Sequence, residues 1–309
     1  MKRTLAAVVG LLALGLTACG GGGDPLAGGS GGTGGDQPPA AADTIRIGSA
    51  NFPENRLLAE IYAQALEAKG TTVERQFGIG SREVYFPALQ DGSIDLIPEY
   101  TGNLLQEVDP ETTATASEEV YQQLQEKLPD GLTVLEQSTA ENKDAVVITG
   151  ETAQKYNAQS IADLAPHCGE LVFGGPPEFA ERPNGLPGLE QLYGCTFAEF
   201  RSLDAGGPLT VTALADGTIQ AANLFTTDPV IEDRGWVALE DPENLFAAQN
   251  VVPLINEEKA SEEVRSTLNA ISAALTTEEL VELNRKLNDA ANNTVESVAT
   301  EWLTANNLL

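Results

Sequence analysis

Apolar and polar positions follow one another along the chain with two periods, and the change-overs mark out its elements. Residues 44–49 (TIRIGS) alternate apolar and polar and predict a strand. Leu57, Leu58, Ile61, Ala65 and Leu66 then recur at helical spacing, and Gly70 ends that helix. Residues 71–77 read as the next strand, and 82–90 as a helix with Ser81 in the N-cap position. Residues 94–97 form a short apolar strand that runs into the polar stretch Pro98-Glu99-Tyr100-Thr101-Gly102. Further strands are expected at 145–149, 171–174 and 219–224, each bounded by helical or Gly/Pro-rich segments. From 257 to 309 no strand pattern remains, and Val264, Leu268, Ile271, Leu275, Val298 and Leu303 predict a helical tail. Strands alternating with helices imply an α/β protein with mainly parallel sheets.

One segment of this pattern occurs twice. ALQDGSIDLIPEYTGN (88–103) and ALADGTIQAANLFTTD (213–228) each contain a helix end, a Gly turn, a strand and a polar loop. Ligands of open α/β sheets bind beyond the carboxyl ends of the strands. Tyr100, Thr101 and Asn103 in the first copy, and Thr226, Thr227 and Asp228 in the second, are therefore expected to face one site from two sheets. AL-x-DG-x-I is also a common helix-to-strand turn, the plainer reading of the repeat.

The amino terminus changes the picture from a cytoplasmic protein to an exported one. Lys2 and Arg3 precede an apolar run from 4 to 15, too short for a bilayer core that needs ~20 residues, so it reads as a signal sequence (1–18). Leu16-Thr17-Ala18-Cys19 looks like a bacterial lipobox, making Cys19 the expected lipidation residue. The Gly/Pro/Ala stretch 19–43 then reads as a flexible tether. These features predict a lipid-anchored, extracytoplasmic protein on the periplasmic side or outer face of a membrane. The remaining chain suffices for one large domain or two medium lobes.

A formal net charge of −29 argues against nucleic acid as a partner, because phosphates are repelled at range. It suits solubility, and equally a cationic or zwitterionic ligand. Besides Cys19, Cys168 and Cys195 form an even pair that reads as a disulfide in an oxidising compartment, with a catalytic thiol as the alternative. His167 is the one histidine, there is no nucleophile elbow and no His/Cys/Asp cluster with metal-ligand spacing. The pattern gives little support to an enzyme, a cofactor or a metal site.

GSANFPEN (48–55), GIGSREVYFPALQDGSIDLIPEYTGN (78–103), LVFGGPPEFAERPNGLPGL (171–189) and FTTDPVI (225–231) closely resemble the substrate-binding lipoproteins of osmoprotectant ABC importers. Those proteins take up glycine betaine, choline, carnitine and related quaternary amines. The resemblance runs from about Thr44 into the helical tail, with the motifs in family order. It implies a two-lobed periplasmic-binding-protein fold of type II, with two hinge crossings and the ligand in the interlobe cleft. Lobe 1 would be 44–142 plus 250–309 and lobe 2 would be 143–249, with crossings near Asn142-Lys143-Asp144 and Gln249-Asn250. It further implies a monomer that hands a small solute to a membrane permease, or a sensor lipoprotein that binds without transporting.

The resemblance also implies a site. The family boxes a trimethylammonium group with tyrosines, by cation–π attraction worth ~2 kcal/mol when desolvated. Tyr100 matches that box, Arg182 matches the carboxylate-binding arginine, and Asn51 falls in the first motif. Family members often carry Lys where this chain has Ala50, and Thr where it has Asn103. Other box tyrosines align near Asp144, Asn223 and Gln249. A pocket with one tyrosine, several amides and one carboxyl group is thus expected. Its ligand should carry more donors and acceptors than glycine betaine, which should bind weakly or not at all.

Overall fold

The computed structural model describes residues 44–309, so the expected signal sequence (1–18), tether (19–43) and lipidation at Cys19 lie outside the described residues. Strands β1 (Thr44–Ala50), β2 (Thr72–Gly80), β3 (Leu96–Tyr100) and β4 (Leu132–Val134) share a sheet with the last strand of the chain. The second sheet holds β5 (Asp144–Ile148), β6 (Val172–Gly175), β7 (Glu199–Ser202), β8 (Ala221–Phe225) and β9 (Val237–Ala238). With β10 (Val251–Asn256) completing the first, the orders are β2-β1-β3-β10-β4 and β7-β6-β8-β5-β9.

The sheets are mixed, not mainly parallel as the alternation of elements suggested. β1 runs parallel to β2 and β3, and β6 parallel to β7 and β8. β10 runs antiparallel to β3 and β4, and β5 antiparallel to β8 and β9. β5 and β10 are the strands the chain enters from the other sheet. A helix-connected βα repeat keeps strands parallel, and these two strands lie outside such repeats.

The repeated sequence segment builds the same structure twice. The helices Arg82–Gln90 and Pro208–Ala215 each end in a left-handed glycine, Gly92 (φ +74°) and Gly217 (φ +76°), a conformation that glycine adopts without steric penalty. Asp91 Oδ1 accepts from the Ser93 N–H at 2.8 Å, and Asp216 Oδ1 accepts from the Thr218 N–H at 2.9 Å. The following strands, β3 and β8, occupy equivalent central positions between a parallel and an antiparallel neighbour. Even the packing repeats. A Cβ on Gly48 of β1 would meet Ile94 at 2.6 Å, and one on Gly174 of β6 would meet Ile219 at 2.4 Å.

β3 lies later than the expected 94–97. Asp95 is held in the preceding turn by Arg46, whose backbone N–H and guanidinium both donate to its carboxylate. The strand then continues through Pro98, which sequence rules treat as a stop. Its ladder partner there is Pro253, and β1 pairs with β3 only at Leu96, so no N–H is demanded of Pro98. Ser81 occupies the N-cap position of Arg82–Gln90, but its hydroxyl makes no capping bond.

Each sheet is covered on both faces. The helix Pro53–Ala68 and the tail helices Glu262–Ala274, Thr277–Asn288 and Val295–Ala305 bury Leu57, Ile61, Leu268 and Leu303 on one side of the first sheet. Leu89, Ile94 and Leu104 fill the other side. Phe173, Ile161 and Leu189 pack one face of the second sheet, and Leu214, Ile219 and Leu224 the other. Cys168 and Cys195 form a disulfide with Cα atoms 5.4 Å apart, which closes a loop beside β6. In the chain-entropy model such a closure stabilises by roughly 3–4 kcal/mol. His167 packs at a tilt against Tyr156, with centroids 4.4 Å apart.

The chain passes between sheets at two places. Lys143 is tied to the second sheet by reciprocal bonds with Thr226, while the Asn142 N–H donates to the Gln249 carbonyl. On the return, Phe246 packs in the core of the second sheet and Ala247 against that of the first. The change of core thus comes three residues before the expected Gln249-Asn250. Gln249 and Asn250 already belong to the side of the first sheet, through Asn103, Thr101 and Ser117.

Candidate functional site

A cleft enclosing about 610 Å³, counting the part open to solvent, lies where the ends of both sheets meet. Its walls come from the carboxyl ends of β1, β3, β6 and β8 and the loops beyond them, where an α/β sheet presents ligand groups.

Aromatic side chains supply much of the lining. Phe52, Tyr85 and Tyr100 come from the first sheet's side, Phe179 and Phe225 from the second's. Phe52 stands between the two sets, its ring 5.9 Å from that of Tyr100 and 5.1 Å from that of Phe225. The expectation of a depleted aromatic box with one tyrosine is therefore corrected. Besides Tyr100, four other rings, Phe52, Tyr85, Phe179 and Phe225, enter from separate motifs. The signal was present: GSANF, REVYF, PPEF and NLF each bring an aromatic to the end of a strand or the start of a helix.

Polar groups form three clusters. In the first, Asp144 accepts from Asn103 Nδ2 at 3.0 Å and from Asn223 Nδ2 at 2.9 Å, so one carboxyl group spans both sheets. Asn103 Oδ1 accepts in turn from Asn184 Nδ2 at 2.7 Å and from the Gln249 amide, and the Asn103 N–H donates to Gln249 Oε1. In the second, Arg82 and Glu99 form a buried bidentate pair at 2.8 and 2.7 Å, and Tyr85 Oη donates to the same carboxylate at 2.7 Å. Burial alone would lower the Arg82 pKa, but Glu99 outweighs it and holds the guanidinium charged.

The third cluster centres on Glu54, which is buried and accepts four hydrogen bonds. Tyr100 Oη and Asn142 Nδ2 both donate to Oε1 at 2.7 Å, and Thr227 Oγ1 and Asn284 Nδ2 both donate to Oε2 at 2.6 Å. Burial, then the Glu54 charge, push the Tyr100 phenol well above its usual range, so it stays a donor. A hydroxyl that donates to a carboxyl group enriches its ring, which strengthens attraction to a cation over the face. Sequence reasoning missed Glu54, Arg82, Glu99 and Asn142, because nothing in their spacing marks a buried carboxyl group or the donors that converge on it.

Of the sequence-predicted residues, Asn51, Tyr100, Asn103, Asp144, Arg182 and Asn223 line this cleft. Arg182 is engaged by Glu83 across the cleft, Nε to Oε1 at 2.9 Å and Nη2 to Oε2 at 3.1 Å. Burial opposes ionisation of Glu83, but the Arg182 and Ser81 hydrogen bonds prevail and hold it at about 2. Gln249 is not part of the cleft lining; its amide donates to Asn103 Oδ1. Thr101 is not a cleft residue: it is fully buried, and its hydroxyl accepts from the Asn250 N–H and donates to the Ala248 carbonyl. Thr226 is exposed and accepts from the Lys143 N–H. Thr227 and Asp228 line a smaller adjoining cavity, which shares Phe52, Ala205 and Phe225 with the cleft. Burial there raises the Asp228 pKa to about 6.

Among the described residues no group of His, Cys, Asp and Glu is arranged to hold a metal ion, and no helix is long and apolar enough to cross a membrane. The arrangement encloses a small molecule with aromatic, amide and carboxyl groups from both sheets.

The model of the substrate binding domain of ABC-type glycine betaine transport systems matches residues 43–305. The chain is 32% identical over 286 residues to the glycine-betaine-binding protein of Pseudomonas aeruginosa, which spans 87% of this chain and 90% of that protein. It is 28% identical over 264 residues to the glycine betaine-binding protein YehZ of Escherichia coli, 81% of this chain and 87% of that one. The solved structure of a glycine betaine/carnitine/choline ABC transporter superposes with a TM-score of 0.68 at 22% identity, covering 85% of this chain and 99% of the other. Apo YehZ gives 0.60 at 26% identity, covering 86% and 99%.

Proposed function

Because this chain belongs to the family of substrate-binding domains of ABC-type glycine betaine transport systems, we propose that its cleft holds the ammonium group of a small quaternary amine against the aromatic wall that Tyr100, Phe52 and Phe225 form. The family makes the protein an extracytoplasmic solute receptor of an ABC importer rather than an enzyme, with a two-lobed fold of type II. The observation that carries the ligand reading is the set of five aromatic rings around one cleft, with Tyr100 bonded to Glu54. Cation–π attraction and the excess of carboxyl groups near the cleft favour a cation there.

The remaining roles follow from where the side chains lie. Asn51, Asn103, Asp144 and Asn223 meet the polar part of the ligand, while Gln249 supports Asn103. Arg182 meets an anionic end only by exchanging Glu83 for it, so a carboxylate on the ligand competes with an existing pair. Thr101, Thr226, Thr227 and Asp228 act on the framework. Lobe 1 comprises 44–142 and 247–309 and lobe 2 comprises 143–246, a division supported by the membership of the two cores. The protein works as a monomer, anchored through a lipid on Cys19 and docking to its permease.

Calorimetry with glycine betaine, choline and carnitine tests the reading. At least one should bind, and Tyr100→Ala should weaken it by about 1–3 kcal/mol through lost stacking and cation–π attraction. Binding by none of them, or tight binding indifferent to Tyr100→Ala, would place the ligand elsewhere.

A further inference from the structure

Two guanidinium groups line the cleft, and each is already held by a carboxylate. Arg82 is buried against Glu99. Arg182, on the loop after β6, reaches across to Glu83 on the helix Arg82–Gln90, with Nε 2.9 Å from Oε1 and Nη2 3.1 Å from Oε2. The carboxyl groups of the lining have no such partners. Asp144 accepts from two amides, those of Asn103 and Asn223. Glu178 lines the cleft beside Arg182, whose guanidinium is turned to Glu83 instead. Behind Tyr100, Glu54 accepts from neutral donors alone. Among the described residues, the lining thus offers carboxyl groups without a cation and no guanidinium without a carboxylate.

Glu83 is well placed to keep its partner. It lies in the first turn of its helix, where the backbone N–H groups favour an anion. Burial opposes its ionisation, but the bonds from Arg182 and Ser81 prevail. Arg182 approaches from a backbone fixed on both sides. Its N–H donates to the Glu178 carbonyl at 3.0 Å, and its carbonyl accepts from the Gly185 N–H at 2.9 Å. That turn is tight, since a Cβ on Gly185 would meet the Phe179 carbonyl oxygen at 1.9 Å. The result is a two-bond match between a planar guanidinium and a carboxylate. A ligand carboxylate that takes Arg182 must break both bonds and set its own charge beside that of Glu83. A ligand without an anionic end leaves the pair intact.

We propose that Glu83 is a specificity-determining residue that withholds Arg182 from the ligand, so that the cleft selects quaternary amines of net positive charge over zwitterions that carry a carboxylate. This rests on the reading that the cleft takes a quaternary amine. A zwitterion competes with Glu83 for the one guanidinium within reach of solvent. A net cation has no such competition. The side chains of Arg182 and Glu83 keep 25% and 46% of their surface exposed, so water weakens the pair and the preference is graded, not absolute.

Calorimetry with glycine betaine and isobutyltrimethylammonium tests this, because the second compound replaces the carboxylate with an apolar group of the same branched shape. Wild type should bind the cation about tenfold more tightly, the worth of one charge-assisted bond forgone. Glu83→Gln releases Arg182, so glycine betaine should tighten about tenfold while the cation does not gain, and the preference should vanish or reverse. Adding Arg182→Gln to that variant should abolish the gain. If the pair merely fastened one side of the cleft to the other, its loss would move both ligands together and leave their ratio unchanged. Three results overturn the proposal: equal or tighter binding of glycine betaine by wild type, a ratio that stays within about twofold in Glu83→Gln, or a gain that survives without Arg182. The wild-type ratio decides alone if Glu83→Gln does not fold. Failure of both compounds to bind wild type and variant alike would instead refute the quaternary-amine reading and take this proposal with it.

Discussion

Glu99→Gln removes one charge from the most enclosed ion pair of the cleft wall while keeping the side chain's shape. Glu99 is fully buried and Arg82 is 6% exposed. The carboxylate accepts two guanidinium bonds, the Tyr85 hydroxyl and the Tyr100 N–H at 2.9 Å. All four partners are donors, so the amino half of glutamine must oppose one of them. The guanidinium is left buried without its counter-charge, which costs about 3–5 kcal/mol. At the ~2–4 °C per kcal/mol of a large domain, the thermal midpoint should fall by roughly 10 °C. Arg82→Met combined with Glu99→Leu removes both charges and leaves two unmatched donors, Tyr85 Oη and the Tyr100 N–H, at about 1–3 kcal/mol each. The double variant should therefore be less destabilised than the sum of its single changes by at least about 2 kcal/mol, measured by urea unfolding. A loss below about 1 kcal/mol for Glu99→Gln, or strict additivity in the cycle, would show that solvent reaches the pair and that the reasoning from burial is wrong.

Two further outcomes are expected. Because burial raises Asp228 to about 6 in the folded state, the folded protein holds that proton more tightly than the unfolded chain. Its contribution is fully present below about pH 4 and is lost as pH rises through 6, by up to about 3 kcal/mol. Asp228→Asn should flatten this part of the stability–pH profile in urea titrations; an unchanged slope would refute the assignment. Cys19→Ser should release the exported protein from the membrane fraction, and unchanged membrane attachment would contradict lipidation at that residue.

Much of the fold was legible because local patterns and tertiary contacts agree. Leu57, Ile61 and Leu66 are spaced for a helix and are buried as one. The Asp-Gly turns at 91–92 and 216–217 fix where β3 and β8 begin. β10 was not legible, since Val251–Asn256 contains Pro253 and follows no helical connection; only its pairing against Pro98 makes the proline tolerable. In the site, Tyr100, Asn103, Asp144 and Asn223 could be found because they lie in or align with recognisable motifs. Thr101 and Thr226 lie in those same stretches, yet their hydroxyls bind backbone at the crossings, a role decided by residues about 80 and 150 positions away. Glu54 and Asn142 escaped for the opposite reason: their meaning arises only when segments distant in sequence converge on Glu54.

The bonds at the two crossings have a mechanical consequence. Lys143 is clamped to Thr226, and Asn142 to Gln249 and Glu54, on opposite sides of a single peptide link. On the return strand, Ala248 is held by Thr101 and by the Thr115 carbonyl, while the Phe246 N–H is held by Asp241. Any rotation of one sheet against the other would therefore be concentrated in two links, 142–143 and 246–247. The Glu54 bonds lie beside the first link. A contact close to a rotation axis lengthens little for a given swing, so that cluster travels with the axis, and the strain of the motion falls on contacts farther from it.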